Sequence, residues 1–167
     1  DAVEKIAADA PGNVVGRWRP LLNRANYYLE HDMLQLAHAD FVRAEALGEL
    51  RGTSSFGLGV TLQQMKRLPE ALAAFQRAEQ RGTRDGGLYY HRGATLAALG
   101  RHNEAIDDFA LAIEKSSDPK VRNDARVMRG DSAMTVRRFD IAAHEYGQVV
   151  NSDPVNYEVK LGLAIAL

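Results

Sequence analysis

The chain has 167 residues, 46% hydrophobic and 26% charged, enough apolar content to bury a core and too much for a disordered segment. Its 21 Lys and Arg against 22 Asp and Glu give a formal net charge of −1, which lacks the basic footprint of a duplex-binding surface, so no nucleic-acid partner is expected. The absence of cysteine removes disulfides, thiol nucleophiles and zinc fingers, and apolar runs of only a few residues leave no membrane span; no leader peptide is visible, although a chain opening on Asp1 is also what trimming leaves.

In chain order, residues 1–10 read as a short helix closed by Pro11-Gly12. Apolar periodicity then predicts helices over 19–31, 35–47, 53–65, 69–81, 87–99, 103–115, 121–136, 138–151 and 156–167. Pro20 and Pro69 suit first turns, where a missing N–H would be unpaired in any case. Gly82 and Gly100 fit the positive-φ position that follows a helix. Ser117-Asp118-Pro119 and Ser152-Asp153-Pro154 each offer a capping side chain followed by a first-turn proline.

These helices repeat. Gly59 stands twelve residues before Ala71, which is followed by Phe75 and Ala78; Gly93 stands likewise before Ala105, Phe109 and Ala112, a step of 34 residues. One step earlier lie Ala25, Ala37, Phe41 and Ala44, and after a step lengthened by three lie Gly130, Ala142, Tyr146 and Val149. Counted from Trp18, Gly52, Gly86 and Asn123 as position 1, each copy has a small residue at positions 8 and 20 and an aromatic at 24. Small residues let two antiparallel helices approach, and the aromatic fills the space between one hairpin and the next. A fifth copy opens near Asn156, with Leu163, Ala164 and Leu167 expected to pack.

The pattern resembles the tetratricopeptide repeat, whose period is about 34 residues. The third copy, from Leu88-Tyr89-Tyr90-His91-Arg92-Gly93 through Leu96, Gly100, Glu104-Ala105, Phe109 and Ala112, is the best match. The resemblance implies an all-α superhelix of helix hairpins, divided into an N-terminal helix at 1–12, repeats at 18–51, 52–85, 86–120 and 121–155, and the first helix of a further repeat at 156–167. The chain departs from the family at position 4, where only Tyr89 is aromatic and Leu21, Ser55 and Arg126 stand elsewhere, and at position 7, where leucine survives only as Leu58.

Groups with reactive chemistry do not converge. Two of the five histidines, His31 and His38, are seven apart but fall on different predicted helices, so no metal and no cofactor is expected. Gly57-Leu58-Gly59 lacks the lysine and the preceding strand of a phosphate loop and reads as close helix packing. Asp107 and Asp108 are adjacent on a helix, point about 100° apart and read as a solvated face. Lys66-Arg67 and Arg137-Arg138 read as cations at helix C-termini. In each of the pairs Tyr27-Tyr28 and Tyr89-Tyr90, one ring is expected in the core and the other in a groove.

In the family, positions 2, 5, 9, 12 and 13 face the concave groove, and such grooves bind partners. Carried onto this chain, they give Arg19, Leu22, Asn26, Leu29 and Glu30; Thr53, Phe56, Val60, Gln63 and Gln64; Gly87, Tyr90, Ala94, Ala97 and Ala98; and Asp124, Val127, Asp131, Met134 and Thr135. Asn26, Leu29, Phe56, Val60, Gln63, Gln64, Tyr90, Ala94, Ala97, Val127, Asp131 and Met134 form the expected site, with Phe56 and Tyr90 as anchors. Of the carboxylate clamp of chaperone-binding family members, only Asn26 matches; Leu22, Gly57, Gly87 and His91 stand where its other groups would be, so an acidic C-terminal tail is not the expected ligand.

The expected function is a non-catalytic scaffold that binds a protein or peptide. Two further readings stand beside it. Ala78-Glu79-Gln80-Arg81-Gly82 and Leu88-Tyr89-Tyr90 are similar to the repeat region of bacterial outer-membrane proteins of phage adsorption and exopolysaccharide secretion, which implies a periplasmic segment. The other is that the array presents substrate to an enzyme domain of a longer protein. The compartment is open between cytoplasm and periplasm, and the apolar stripe of the last helix would invite end-to-end self-association.

Overall fold

The computed structural model describes residues 17–49, 51–152 and 157–167, with the side chains of residues 157 and 158 outside that description. The expected helix at residues 1–10, its Pro11-Gly12 stop and the Asp153-Pro154 cap lie outside the described residues. Within them the chain forms α1 (Trp18–Glu30), α2 (Leu34–Ala46), α3 (Thr53–Gln64), α4 (Leu68–Gln80), α5 (Gly86–Ala98), α6 (His102–Lys115), α7 (Pro119–Thr135), α8 (Phe139–Ser152) and α9 (Tyr157–Ala166). Each predicted helix after residue 17 is present, with bounds moved by two residues or fewer, and no strand occurs among the described residues.

Local chemistry sets the breaks. Asp85 caps α5 by accepting the Leu88 N–H at 2.9 Å, and Asp118 caps α7 by accepting the Lys120 N–H at 2.8 Å with Pro119 behind it. Position 15 of every hairpin turn is left-handed, with φ of 57° at Asp32, 62° at Lys66, 74° at Gly100 and 61° at Arg137. Only one copy fills that position with glycine, so these turns are held by the helices on either side more than by residue type. Arg67, beside Lys66, bridges to Glu70 on the first turn of α4 at 2.7 Å.

The chain divides into two compact units, residues 1–83 and 84–167. In the first, α1 packs on α2, α2 on α3 and α3 on α4; in the second the same order runs from α5 to α9, and α5 also touches α7. The position-24 aromatics organise both units. Phe41, Phe75 and Phe109 are fully buried, and Tyr146 is 4% exposed. A Cβ on Gly59 would lie 2.5 Å from the Phe75 ring, and one on Gly130 would lie 2.5 Å from the Tyr146 ring, so glycine at position 8 is what admits the ring. The following hairpin makes the second wall: a Cβ on Gly57 would collide with Phe41, and one on Gly162 would come within 3.0 Å of Tyr146. The Gly57-Leu58-Gly59 stretch is therefore a packing device on both sides of α3.

The departures at position 7 have a structural cause. Arg24, Arg92 and Arg129 each reach an acid sixteen residues on: Asp40 at 2.5 Å, Asp108 at 2.7 Å and Glu145 at 2.5 Å. All three acids are 5% exposed or less. Where the second copy keeps Leu58, the residue sixteen on is Ala74, and both are buried. Hairpins thus use either a buried ion pair or an apolar pair at one location. Asp108 is accordingly not on the solvated face its neighbour Asp107 occupies, because the Arg92 guanidinium draws it inward with two hydrogen bonds of 2.7 Å.

Two other expectations are corrected. Tyr89 is buried and Tyr90 half-buried, but neither Tyr27 nor Tyr28 enters the core. Tyr27 is 52% exposed and stacks on His31 at 4.1 Å, while Tyr28 is half-buried, its ring covered by the Arg24 guanidinium that reaches across to Asp40. On α9 the packing face is Val159, Gly162, Leu163 and Ala166, whereas Ala164 and Leu167 are exposed. The described partner of α9 is α8, which takes only that stripe.

Stability tests follow from this register. Gly59→Ala is expected to destabilise by about 1–3 kcal/mol in urea unfolding despite its better helix propensity. Gly93→Ala, whose Cβ would lie 3.0 Å from Phe109, costs less; equal effects would contradict the arrangement. Ala105→Trp, at a fully buried position, is expected to cost ~3 kcal/mol or more, and an unchanged melting curve would show the register to be wrong. Arg92→Leu alone leaves Asp108 buried and unpaired and should cost about 3 kcal/mol. Adding Asp108→Ala, which transplants the Leu58–Ala74 pairing, should recover most of that loss, and no recovery would mean that the two solutions are not interchangeable.

Candidate functional site

In the first unit the expected groove residues lie on α1 and α3. Asn26 and Gln64 are exposed, and Leu29, Phe56, Val60 and Gln63 are half-buried. Phe56 leans on Phe75 with ring centroids 6.1 Å apart. The second unit repeats this contact, Tyr90 leaning on Phe109 at 6.1 Å. In both, position 5 rests an aromatic edge on the position-24 ring, which fixes it without removing it from solvent.

The second unit goes further and forms a cleft of about 400 Å³ lined by Tyr90, Asp124, Val127, Met128, Asp131, Tyr146, Val159 and Gly162. Of the expected residues, Tyr90, Val127 and Asp131 meet there. Ala94 and Ala97 are half-buried on α5 outside it, and Met134 packs against the core of Ile106, Ala133, Ala142, Tyr146 and Val149. The lining comes from α5, α7, α8 and α9, and its floor exists because Gly130 and Gly162 leave room for Tyr146.

Polar geometry gives the cleft its character. The Tyr146 hydroxyl donates to Asp131 Oδ1 at 2.7 Å, and Lys120 Nζ donates to Asp124 at 3.0 Å. Burial, then the hydrogen bond and the negative charge of Asp131, push the Tyr146 phenol far above the ordinary range. Burial and the charge of Asp124 raise the Tyr90 phenol, with Lys120 opposing. Burial also lowers the His91 imidazole, against the pull of Asp85. Among the described residues no group of three or more His, Asp or Glu converges.

Periodicity assigned Tyr146 to packing alone and did not expose its polar edge. The available signal was a tyrosine, in place of phenylalanine, at position 24 of the copy that carries Asp131 at position 9. Met128, Val159 and Gly162 were missed because none of them stands at a position that the family directs into the groove, and the space they line lies between successive hairpins. Since the folded state holds the Tyr146 proton more tightly than the unfolded chain, its contribution to stability is full below about pH 10 and is lost as pH rises beyond it. An alkaline titration of tyrosine absorbance should show one phenol ionising after the others, and Tyr146→Phe should remove that last step; a retained late step would place the perturbed phenol elsewhere.

Solved structures of the same fold are numerous. One is YrrB, described as a TPR protein with an unusual peptide-binding site, at 22% identity and TM-score 0.85, covering 99% of this chain and 82% of that one. MamA matches at 15% identity and TM-score 0.79 over 89% of this chain and 80% of that one. The first TPR of Spaghetti (RPAP3), bound to the HSP90 peptide SRMEEVD, matches at 17% identity and TM-score 0.61 over 70% of this chain and 90% of that one. These likenesses show the all-α helical-repeat fold, of the tetratricopeptide superhelix class. No curated protein sequence matches the chain. No described helix is long and apolar enough to cross a membrane. The tetratricopeptide repeat profile matches residues 22–87, 65–119 and 127–167, so the chain belongs to the tetratricopeptide repeat family.

Proposed function

We propose that the chain is a non-catalytic protein-interaction scaffold, built from repeats at 18–51, 52–85, 86–120 and 121–155, that holds a peptide or a segment of a partner protein on the inner faces of its first helices. The observation that carries this reading is the cleft around Tyr90, Val127 and Asp131: concave, formed by helices from successive hairpins, and fixed by Tyr146 before any ligand arrives. A site held by packed helices loses little freedom on binding, which favours affinity. The peptide sites named for YrrB and for the first TPR of Spaghetti support the same role. Such a role needs no cofactor or metal.

Tyr90→Ala is expected to weaken the bound partner about tenfold or more, as truncation of an aromatic anchor does, and Phe56→Ala to weaken any partner that also contacts the first unit. The measurement is a titration of purified partner, identified by affinity capture, with each variant checked for an unchanged melt. Equal affinity of wild type and the double variant Phe56→Ala/Tyr90→Ala would move binding off the inner faces.

A further inference from the structure

The charge of the cleft points to a ligand chemistry, an inference that rests on the peptide-binding reading above. Asp124 and Asp131 are seven residues apart on α7, so they share one face two turns apart, about 10 Å along the axis. Between them lie Val127 and Met128, and Tyr90 stands opposite on α5. The Tyr146 hydroxyl fixes Asp131 through Oδ1, and Oδ2 has no partner among the described residues. Asp124 already holds a cation, the ammonium of Lys120, whose side chain is 82% exposed.

We propose that this cleft receives an arginine or lysine side chain of the bound peptide, with the cation on Asp131 and the aliphatic stem on Val127 and Met128, facing the Tyr90 ring. The complementarity is of shape as well as sign: an apolar trough ending in a carboxylate matches a side chain that is apolar along its stem and charged at its tip. Lys120 shows that the rim accepts such a group, and as an exposed cation paired with Asp124 it competes weakly with an incoming one. The acidic SRMEEVD peptide bound by the first TPR of Spaghetti carries the opposite sign at its end. Asp131 acts as the recognition group and Tyr146 as a positioning residue.

The test is selection of a random-sequence peptide library, displayed on phage, against the immobilised full chain and against Asp131→Asn and Lys120→Ala, each verified by its melting curve. The expected result is enrichment of peptides with a basic residue at a fixed position on wild type. Synthetic copies of the selected peptides should bind Asp131→Asn about tenfold more weakly and Lys120→Ala as tightly or more tightly, and replacing the basic residue by citrulline or norleucine should abolish the difference between wild type and Asp131→Asn. Peptides enriched without a basic preference, or with one that Asp131→Asn leaves intact, would overturn the inference and leave the peptide-binding reading standing. No enrichment on any form would overturn both.

Discussion

The fit of one aromatic ring against a glycine or alanine is the constraint on which each hairpin depends. Position 24 is Phe41, Phe75, Phe109 or Tyr146, and position 8 is Ala25, Gly59, Gly93 or Gly130. The ring can enter only where the facing helix presents no bulk, and once in place it becomes a wall for the next hairpin, as Gly57 and Gly162 show. Stacking follows because a lone hairpin would leave that ring half bare. The ledge on which Phe56 and Tyr90 rest follows too, since each leans on the ring of its own hairpin. Core and inner face are thus two sides of one side chain.

The fourth copy modifies that ring with a hydroxyl. Burial of a tyrosine requires a partner for its O–H, and Asp131, one position beyond the small residue that admits the ring, supplies it. A packing residue thereby reaches the surface and orients a carboxylate there. The buried ion pairs add a second layer of identity. Arg24–Asp40, Arg92–Asp108 and Arg129–Glu145 join the two helices of their own hairpins, and the second copy buries Leu58 and Ala74 at the corresponding positions without charge. A mismatched pairing would bury an unpaired charge, so the alternation disfavours exchange of second helices between hairpins.

Much of the fold was legible in the sequence because its causes are local and periodic. The spacing of Ala71, Phe75 and Ala78, repeated at 34 residues, states both the helix face and the partner it meets. The arginines at position 7 were visible as departures from the family, but their meaning needed Asp40, Asp108 and Glu145, sixteen residues away on another helix. The same limit applies to the site. Tyr90, Val127 and Asp131 were legible as inward positions, whereas the cleft they form depends on Tyr146, which periodicity assigns to packing, and on Met128, Val159 and Gly162, to which it assigns no role. Single-helix patterns do not report where successive hairpins leave space between them. The inward-drawn Asp108 has the same origin, an arginine sixteen residues away on another helix.

The central claim is that the cleft organised by Tyr146 is where a partner binds, and fluorine NMR of the chain labelled with fluorotyrosine tests it most directly. With resonances assigned through single Tyr→Phe variants, addition of the best-selected peptide is predicted to move the signals of Tyr90 and Tyr146 while those of Tyr27 and Tyr89 stay fixed. A bound peptide that moves Tyr27 or Tyr89 and leaves Tyr90 and Tyr146 unchanged would contradict the account.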